Sequence, residues 1–401
     1  MRFALFCHSL RSDWNNGHAH FLRGLMRALI SMGHEAIGYE EAGSWSVSHL
    51  VAEHGWRPLL EFRRQFPLLR VRLYDSASGQ ALRHHLRREL AGMDVVILHE
   101  WVAVERPDMM RLLLELKREC GYTLLFHDTH YRILTQPVRL ARLRLERCDG
   151  VLAFSSSIAA EYRRRLGLDP VYVFHEAADD ELFQPVPADW MRPLDDVTFV
   201  GNWGGRDRAA ELREFLLRPA RANKGRRRFA IYGVRYPPRV LDLISRYYGA
   251  DYRGWLPNYR VPQVFAQSRV VVHIARRQYA RVLHGTPTIR PFEALACGAA
   301  LVSTPWPDTD GLFRAGHDYV VVASERQMVE ALEWLWQDEV ARRRLGQRGA
   351  ARIRAQHTCR HRAEQLLGIV AQLRGREEAG RLPAAVALPQ LQTVLAEAAG
   401  T

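Results

Sequence analysis

Short apolar runs alternate with amphipathic stretches along most of the chain. The runs F-A-L-F-C (3–7), E-A-I-G-Y (35–39), D-V-V-I-L-H (94–99), Y-T-L-L-F-H (122–127), G-V-L-A-F-S (150–155) and V-Y-V-F-H (171–175) are nearly unbroken in hydrophobicity. Strands covered on both faces read this way. Between them, H-F-L-R-G-L-M-R-A-L-I-S-M-G (20–33) and the segments 111–120 and 156–166 repeat their apolar residues at helical spacing. The pattern predicts an α/β fold in which helices cover both faces of a parallel sheet. It fades where prolines and acids gather, over 179–196, and then restarts with V-T-F-V-G (197–201), R-F-A-I-Y-G (228–233), D-Y-R-G-W-L (251–256), R-V-V-V-H-I-A (269–275), A-L-V-S-T (300–304) and Y-V-V-V (319–322). Two doubly wound, Rossmann-like domains are therefore expected, over 1–178 and 197–356, with 179–196 as a linker. Helical spacing continues to about 374, and an alanine-rich tail with Pro383 and Pro389 occupies 375–401.

One stretch carries more chemistry than the rest: T-I-R-P-F-E-A-L-A-C-G-A-A-L-V-S-T-P at 288–305. Pro291 suits the first position of a helix and Gly298 the left-handed residue that ends one, which puts Glu293 in the first turn. Free N–H groups at such a terminus attract an anion, and a carboxylate there can accept hydrogen bonds from a vicinal diol. A nucleotide sugar offers both, as diphosphate and ribose. Equally, Glu293 can simply complement the helix dipole.

Ligands of doubly wound domains bind beyond the carboxyl ends of the strands, so the loops after the strands come next. After the first strand, Asn16 and Gly17 permit a tight turn and place His18 at a helix N-terminus, as a general base toward a hydroxyl or as a neutral cap. H-D-T-H at 127–130 offers His127, Asp128 and His130. Acceptor binding, Asp128 orienting His18, and a turn stabilised by aspartate are the readings; three ligands in one loop are too few for a metal site. In V-T-F-V-G-N-W-G-G-R-D-R, Gly201, Gly204 and Gly205 allow close backbone approach, and Arg206 and Arg208 can pair with phosphate oxygens. Trp255 or Leu256 can flank a nucleobase, or the tryptophan can pack in a core. D-T-D at 308–310 sits among prolines and reads as a turn, not a metal site.

Composition narrows the partners. The 401 residues suit two domains, and a net charge of +13 favours anionic ligands. Of 57 basic residues only Lys117 and Lys224 are lysine, and the arginines are scattered rather than gathered in an aromatic-interleaved patch. No nucleic acid partner is expected. Five scattered cysteines without a C-x-x-C pair suggest reduced thiols and a cytoplasmic protein, and no apolar run is long enough for a signal peptide or a membrane span. The segment W-R-P-L-L-E-F-R-R-Q-F-P-L-L-R (56–70) can touch an acidic or lipid-linked acceptor at a membrane's inner face, or be a solvated helix packed on the sheet.

With these segments in view, the chain resembles the GT-B glycosyltransferases of group 1, and within them the CgeB-like (spore-maturation protein) group. The resemblance runs through about residues 1–370 and is carried by N-N-G-H-A-H-F-L-R-G-L-M-R-A-L-I-S-M-G-H-E, H-E-A-A-D-D-E-L-F-Q-P, F-V-G-N-W-G-G-R, Y-R-G-W-L-P and I-R-P-F-E-A-L-A-C-G-A-A-L-V-S-T. It implies that the C-terminal domain binds a nucleoside-diphosphate sugar, that the N-terminal domain binds the acceptor, and that a helix at 357–374 crosses back to the first domain. It also implies that Glu293 holds the ribose hydroxyls, that Arg290 lies near the diphosphate, and that Gly201 and Asn202 form the first loop of the donor domain. Related retaining enzymes carry a second glutamate where this chain has Gly285, beside His284, while His18 matches the base of inverting plant-type glucosyltransferases. The activity expected is glycosyl transfer to a hydroxyl of a glycan, lipid-linked or small-molecule acceptor, with no cofactor or metal because arginines and helix amides stabilise the departing diphosphate. A nucleotide-sugar epimerase on the same fold is the alternative, and a basic nucleic-acid-binding protein the third.

Overall fold

The computed structural model describes residues 1–185 and 194–381. Seven parallel strands form the first sheet, in the order β3-β2-β1-β4-β5-β6-β7. They are β1 Arg2–Cys7, β2 Glu35–Glu41, β3 Arg70–Tyr74, β4 Val95–His99, β5 Thr123–Asp128, β6 Gly150–Ala153 and β7 Val171–Val173. A second parallel sheet runs β10-β9-β8-β11-β12-β13, from β8 Asp195–Val200, β9 Phe229–Tyr232, β10 Asp251–Tyr252, β11 Ser268–His273, β12 Leu301–Ser303 and β13 Val320–Val321. Strand order reverses direction at β1/β4 and again at β8/β11, and a crevice for a ligand opens at such switch points.

Each sheet has its own core. Phe6, Leu98, Phe126 and Val151 lie in the first; Phe199, Ile231, Val272, Val302 and Leu332 lie in the second. Burying one such side chain contributes about 1.5–3 kcal/mol, so the apolar runs alone specify two separate sheets. β3 was not among the expected strands. Its sequence R-V-R-L-Y alternates charge with apolar residues because it forms an edge that is largely exposed, and arginines on an edge discourage pairing with another chain.

The predicted boundaries shift slightly. β8 already begins at Asp195, inside the expected linker, and 186–193 lie outside the described residues. Helix Cys359–Arg381 continues beyond residue 375, where a tail was expected, and 382–401 also lie outside the described residues. Both sheets belong to one compact unit, Met1–Ala363, and the described residues from Glu364 on fall in a second. Within the first unit the chain returns to the N-terminal domain: Thr358 bridges to Ala178, and Cys359 Sγ lies 3.8 Å from the carbonyl oxygen of Phe21. Gly24 makes this approach possible, since a Cβ there would lie 2.5 Å from Cys359 Sγ. Among the described residues no helix is long and apolar enough to cross a membrane.

Candidate active site

A cavity of about 640 Å³ is lined by the loops that leave the carboxyl ends of both sheets. His8 follows β1, His99 ends β4 and Glu100 and Trp101 follow it, Thr129 and His130 follow β5, and Glu176 lies beyond β7. From the second sheet come residues 201–205, Gly233 to Arg235, Trp255, Leu256, His273 and Arg276.

The second domain supplies a cationic wall. The loop after β8 passes so close to the loop after β9 that a Cβ on Gly233 (φ +152°) would collide with the carbonyl oxygen of Gly201. Asn202 donates from Nδ2 to Asn15 Oδ1 of the first domain and accepts from the Val234 amide at 3.1 Å. Arg208 is buried, donates to the Asn202 and Ile274 carbonyls and keeps Nε without a hydrogen-bond partner. Burial, then the charge of Arg276, lowers its pKa to about 10, so it remains a cation at neutral pH. Arg290 and Arg276 also line the cavity. Arg206 does not: it sits exposed in a 3-10 turn, and Arg276 after β11, which the sequence reading missed, stands at the cavity in its place.

Helix Ile289–Ala296 follows Thr288, whose side chain makes no capping hydrogen bond, and starts two residues before Pro291, so Glu293 lies beyond the first turn rather than in it. Proline is tolerated there because first-turn N–H groups have no intrahelical partner to lose. Gly298 ends the helix with φ +69°, as its sequence position predicts. The Glu293 carboxylate is fully buried and stands behind the cavity wall, not in it. It accepts from His20 Nδ1 at 2.6 Å, from Asn258 Nδ2 at 2.7 Å and from the Arg290 guanidinium. His20 Nε2 accepts the Asp179 amide at 3.0 Å, which leaves Nδ1 as the protonated nitrogen. Burial pushes Glu293 up, but Arg290, His20 and Asn258 outweigh it and hold its pKa below the ordinary value. Asn258 does line the cavity, and its Oδ1 has no partner.

Gly285 and His284 stand elsewhere. Gly285 has φ +75°, and a Cβ there would lie 2.5 Å from Thr309 Oγ1 and 3.0 Å from Asp310 Oδ1, so no larger residue fits without rearrangement. His284 does not line the cavity and offers its carbonyl to Ser157 Oγ. The D-T-D loop is a turn that also ties the domains: Asp308 accepts the Phe313 amide at 2.7 Å, and Asp310 accepts the Ser156 amide at 2.9 Å and lies 3.1 Å from His175 Nε2.

The first domain supplies the opposite wall. His18 is the first residue of helix His18–Ser31; its Nδ1 lies 3.0 Å from Glu176 Oε1, and its Nε2 has no partner. Burial, then the neighbouring His20, lowers the pKa of His18 to about 3. Burial, then the charge of Glu293, raises that of Glu176 to about 8. Both groups are therefore held neutral near pH 7. Asp128 does not orient His18. It accepts the Tyr162 hydroxyl at 2.6 Å and the His130 amide at 2.7 Å, and burial raises it to about 7. His127 packs its ring 5.2 Å from that of His18 and lies behind the cavity, whereas His130 lines it. In the preceding loop the left-handed residue is Asn15 (φ +50°). Asn16 fixes the turn through the Ser9 and Ser12 carbonyls at 2.9 and 3.2 Å. Gly17 has an ordinary helical φ, and a Cβ there would meet only Ile289 Cγ2, at 3.4 Å, so neither conformation nor space demands a glycine. Asp13 joins the walls: it accepts Trp255 Nε1 at 3.0 Å, the Asn258 amide at 3.2 Å and Arg23 at 2.9 Å. Among the described residues no group of three or more His, Cys, Asp or Glu is arranged to hold a metal ion.

A family model described as "Glycosyltransferase Family 4" matches residues 15–182, and one described as "Glycosyl transferase-like" matches 208–368. Together the two models span most of the chain, which is a glycosyltransferase of the GT-B fold. No curated protein sequence matches it. Among solved structures it is similar to the Anabaena protein HepE in complex with UDP and glucose (12% identity, 92% of this chain and 99% of that one, TM-score 0.65). Sucrose-phosphate synthase from Thermosynechococcus elongatus is similar at 15% identity, 94% and 100% coverage and TM-score 0.65. An alpha-glucosyltransferase (AGT) in complex with UDP follows at 12% identity, 92% and 100% coverage and TM-score 0.66. At such identities the likeness is one of fold.

In this glycosyltransferase, Gly201, Asn202, Arg208, Trp255, Leu256 and Arg290 gather on one wall, with Asn16, Gly17, His18 and His130 among those on the other. Glu176 is the carboxylate the sequence reading did not single out. Its only local signal is its place in V-Y-V-F-H-E, just beyond an apolar run.

Proposed function

We propose that the enzyme transfers a glycosyl group from a uridine-diphosphate sugar to a hydroxyl acceptor held by the N-terminal domain. The observation that carries this reading is the pairing of the two walls: Arg208, Arg276 and Arg290 face the same cavity as a histidine whose Nε2 is unpartnered. UDP is taken as the nucleotide because HepE and the alpha-glucosyltransferase hold it on the same fold. The 201–205 loop, the three arginines and the N-terminus of helix Ile289–Ala296 receive the diphosphate. As the bond from the sugar to the β-phosphate oxygen breaks, negative charge grows on that oxygen, and these preorganised donors stabilise it. Asn258 Oδ1 accepts from a ribose hydroxyl, and Glu293 fixes the Asn258 amide and the Arg290 guanidinium from behind. Trp255 and Leu256 flank the base.

Acceptor activation falls to His18. With Nδ1–H directed at Glu176, Nε2 carries the lone pair that takes the acceptor proton, and its lowered pKa keeps it unprotonated near neutrality. Gly285 brings no side chain that could assist. The N-N-G-H and I-R-P-F-E segments favour the CgeB-like group within the family, and five unpaired thiols suit a reducing cytoplasm.

Thermal-shift measurements against UDP-, GDP- and TDP-sugars, repeated on Arg290→Ala, test the donor. Stabilisation by UDP-sugars that weakens in the variant supports the reading; no response to any nucleotide overturns it. Incubation of a responding donor with and without candidate acceptors separates transfer from epimerisation, since an epimerase needs no acceptor.

A further inference from the structure

The helix Arg57–Gln65 packs against the rest of the protein along one side. Pro58 and Phe62, with Phe66 just beyond the helix, are buried, and the Arg23 guanidinium lies 5.1 Å from the ring centres of both phenylalanines. The other side has no apolar cover: Trp56 is 69% exposed, Leu60 55% and Leu68 69%. The positions 56, 60 and 64 recur every four residues, so tryptophan, leucine and Arg64 share one outward line. Arg57, Arg63, Arg70 and Arg72 are exposed around it.

Charge decides what such a face fits. The acids nearby are already engaged: Glu61 by Arg57, Tyr259 and Arg260, Glu35 by Arg70 and Arg2, and Glu89 by Arg72. Arg63 and Arg64 have no carboxylate partner among the described residues, so the face is net cationic. Exposed large apolar side chains interleaved with unpaired arginines complement the headgroup layer of an anionic bilayer, where tryptophan and leucine enter the interface and guanidinium groups meet lipid phosphates. A nucleic acid would leave Leu60 and Leu68 without a role.

The face also adjoins the cavity. Leu59, on the same helix, packs against the cluster of Trp14, Leu50 and Val234 that also includes Trp45 and Trp255, and both of these tryptophans line the cavity. We infer that the outer face of helix Arg57–Gln65, continued by Leu68 and Arg70, docks on an anionic membrane surface and turns the acceptor side of the cavity toward it. This rests on the glycosyltransferase reading above only for the purpose of docking, which is to meet an acceptor hydroxyl presented at the bilayer.

Co-sedimentation with vesicles of phosphatidylcholine alone and of phosphatidylcholine mixed with phosphatidylglycerol tests it. Binding to the mixed vesicles alone, weakening as salt is raised, is expected. Two independent variants, Trp56→Ser/Leu60→Ser/Leu68→Ser and Arg63→Glu/Arg64→Glu, should each lower the partition coefficient by about tenfold or more. Calorimetric UDP binding should be unchanged in both, since none of the five side chains lines the cavity. No binding to anionic vesicles, equal binding by the variants, or binding to duplex DNA but not to vesicles overturns the proposal. Loss of UDP binding in the unmodified protein, with vesicle binding intact, would sink the donor reading and leave the membrane face standing.

Discussion

His20 of the N-terminal domain and Glu293 of the C-terminal domain share a hydrogen bond of 2.6 Å with both side chains fully buried. The bond joins residues 273 positions apart and reaches from one domain to the other. Glu293→Ala would leave His20, Asn258 and Arg290 facing an empty pocket, so a loss of about 3–5 kcal/mol is expected, as when a buried charged pair loses one member. His20→Ala should also weaken UDP binding although His20 does not line the cavity, because it fixes the carboxylate that holds Arg290 and Asn258. Denaturant titration beside calorimetry checks both; a His20→Ala protein with unchanged UDP affinity would reduce the bond to a structural clamp.

Asn258 is oriented by the same carboxylate. Since a carboxylate only accepts, Nδ2 must face Glu293 and Oδ1 the other way. An acceptor left unpaired in a buried site favours a ligand hydroxyl over its absence, by about 1–3 kcal/mol. UDP should therefore bind more tightly than 2′-deoxy-UDP or 3′-deoxy-UDP, and Asn258→Ala should erase that preference while leaving deoxy-nucleotide binding nearly unchanged. Competition binding with the three nucleotides reads the ratio directly; equal ratios in the two proteins would move the ribose elsewhere.

The apolar runs made the sheets legible, because a strand covered on both faces must be hydrophobic along its length. β3 escaped for the converse reason: an exposed edge has no such run. The left-handed turns at Gly204, Gly205 and Gly298 were legible because backbone conformation is local, whereas Arg290 was singled out only by the family resemblance. Glu176 was not, since its partner His18 lies 158 residues away and only the fold brings them together. Asp128 looked equally suitable in sequence and is instead spent on Tyr162. Arg276 belongs with Glu176: it follows an apolar strand, but nothing in its neighbours distinguishes it from Arg277, which pairs with Glu211.

His18→Ala should lower kcat by about 10²–10⁴-fold, the usual contribution of a positioned base, with UDP affinity retained. Glu176→Gln keeps a carbonyl oxygen that can accept from Nδ1, so a smaller loss is expected, whereas Glu176→Ala frees the imidazole to turn and should approach the His18→Ala level. Steady-state kinetics with a saturating donor separate these. Full activity in His18→Ala would reassign the histidine to binding.

Stability should peak near pH 6.5 and fall away on both sides. Burial, first among the causes in each case, lowers His8 to about 4 and His18, His130, His273 and His357 to about 3, and it also lowers His99 and His127. A histidine kept neutral in the fold contributes stability above its unfolded value of 6.5, and that contribution is lost as pH falls toward the folded value, because the unfolded chain then binds the extra proton. Each such group costs about 1.4 kcal/mol per pH unit below that point. Five carboxyls act in the opposite sense: Glu176, raised to about 8, Asp128, raised to about 7, and Glu100, Asp180 and Asp308, all raised by burial, lend stability below their unfolded values that is lost as pH rises toward the folded ones. Between the carboxylate range and pH 6.5 the histidines outnumber them, so the acid side is the steeper. Thermal melts in steps from pH 4.5 to 8.5 should show this asymmetry, and Glu176→Gln should make the alkaline limb shallower and the acid limb steeper, since Glu176 opposes the histidines between pH 4.5 and 6.5. A melting temperature that climbs steadily as the pH drops below 6.5 would mean that these histidines ionise within the fold.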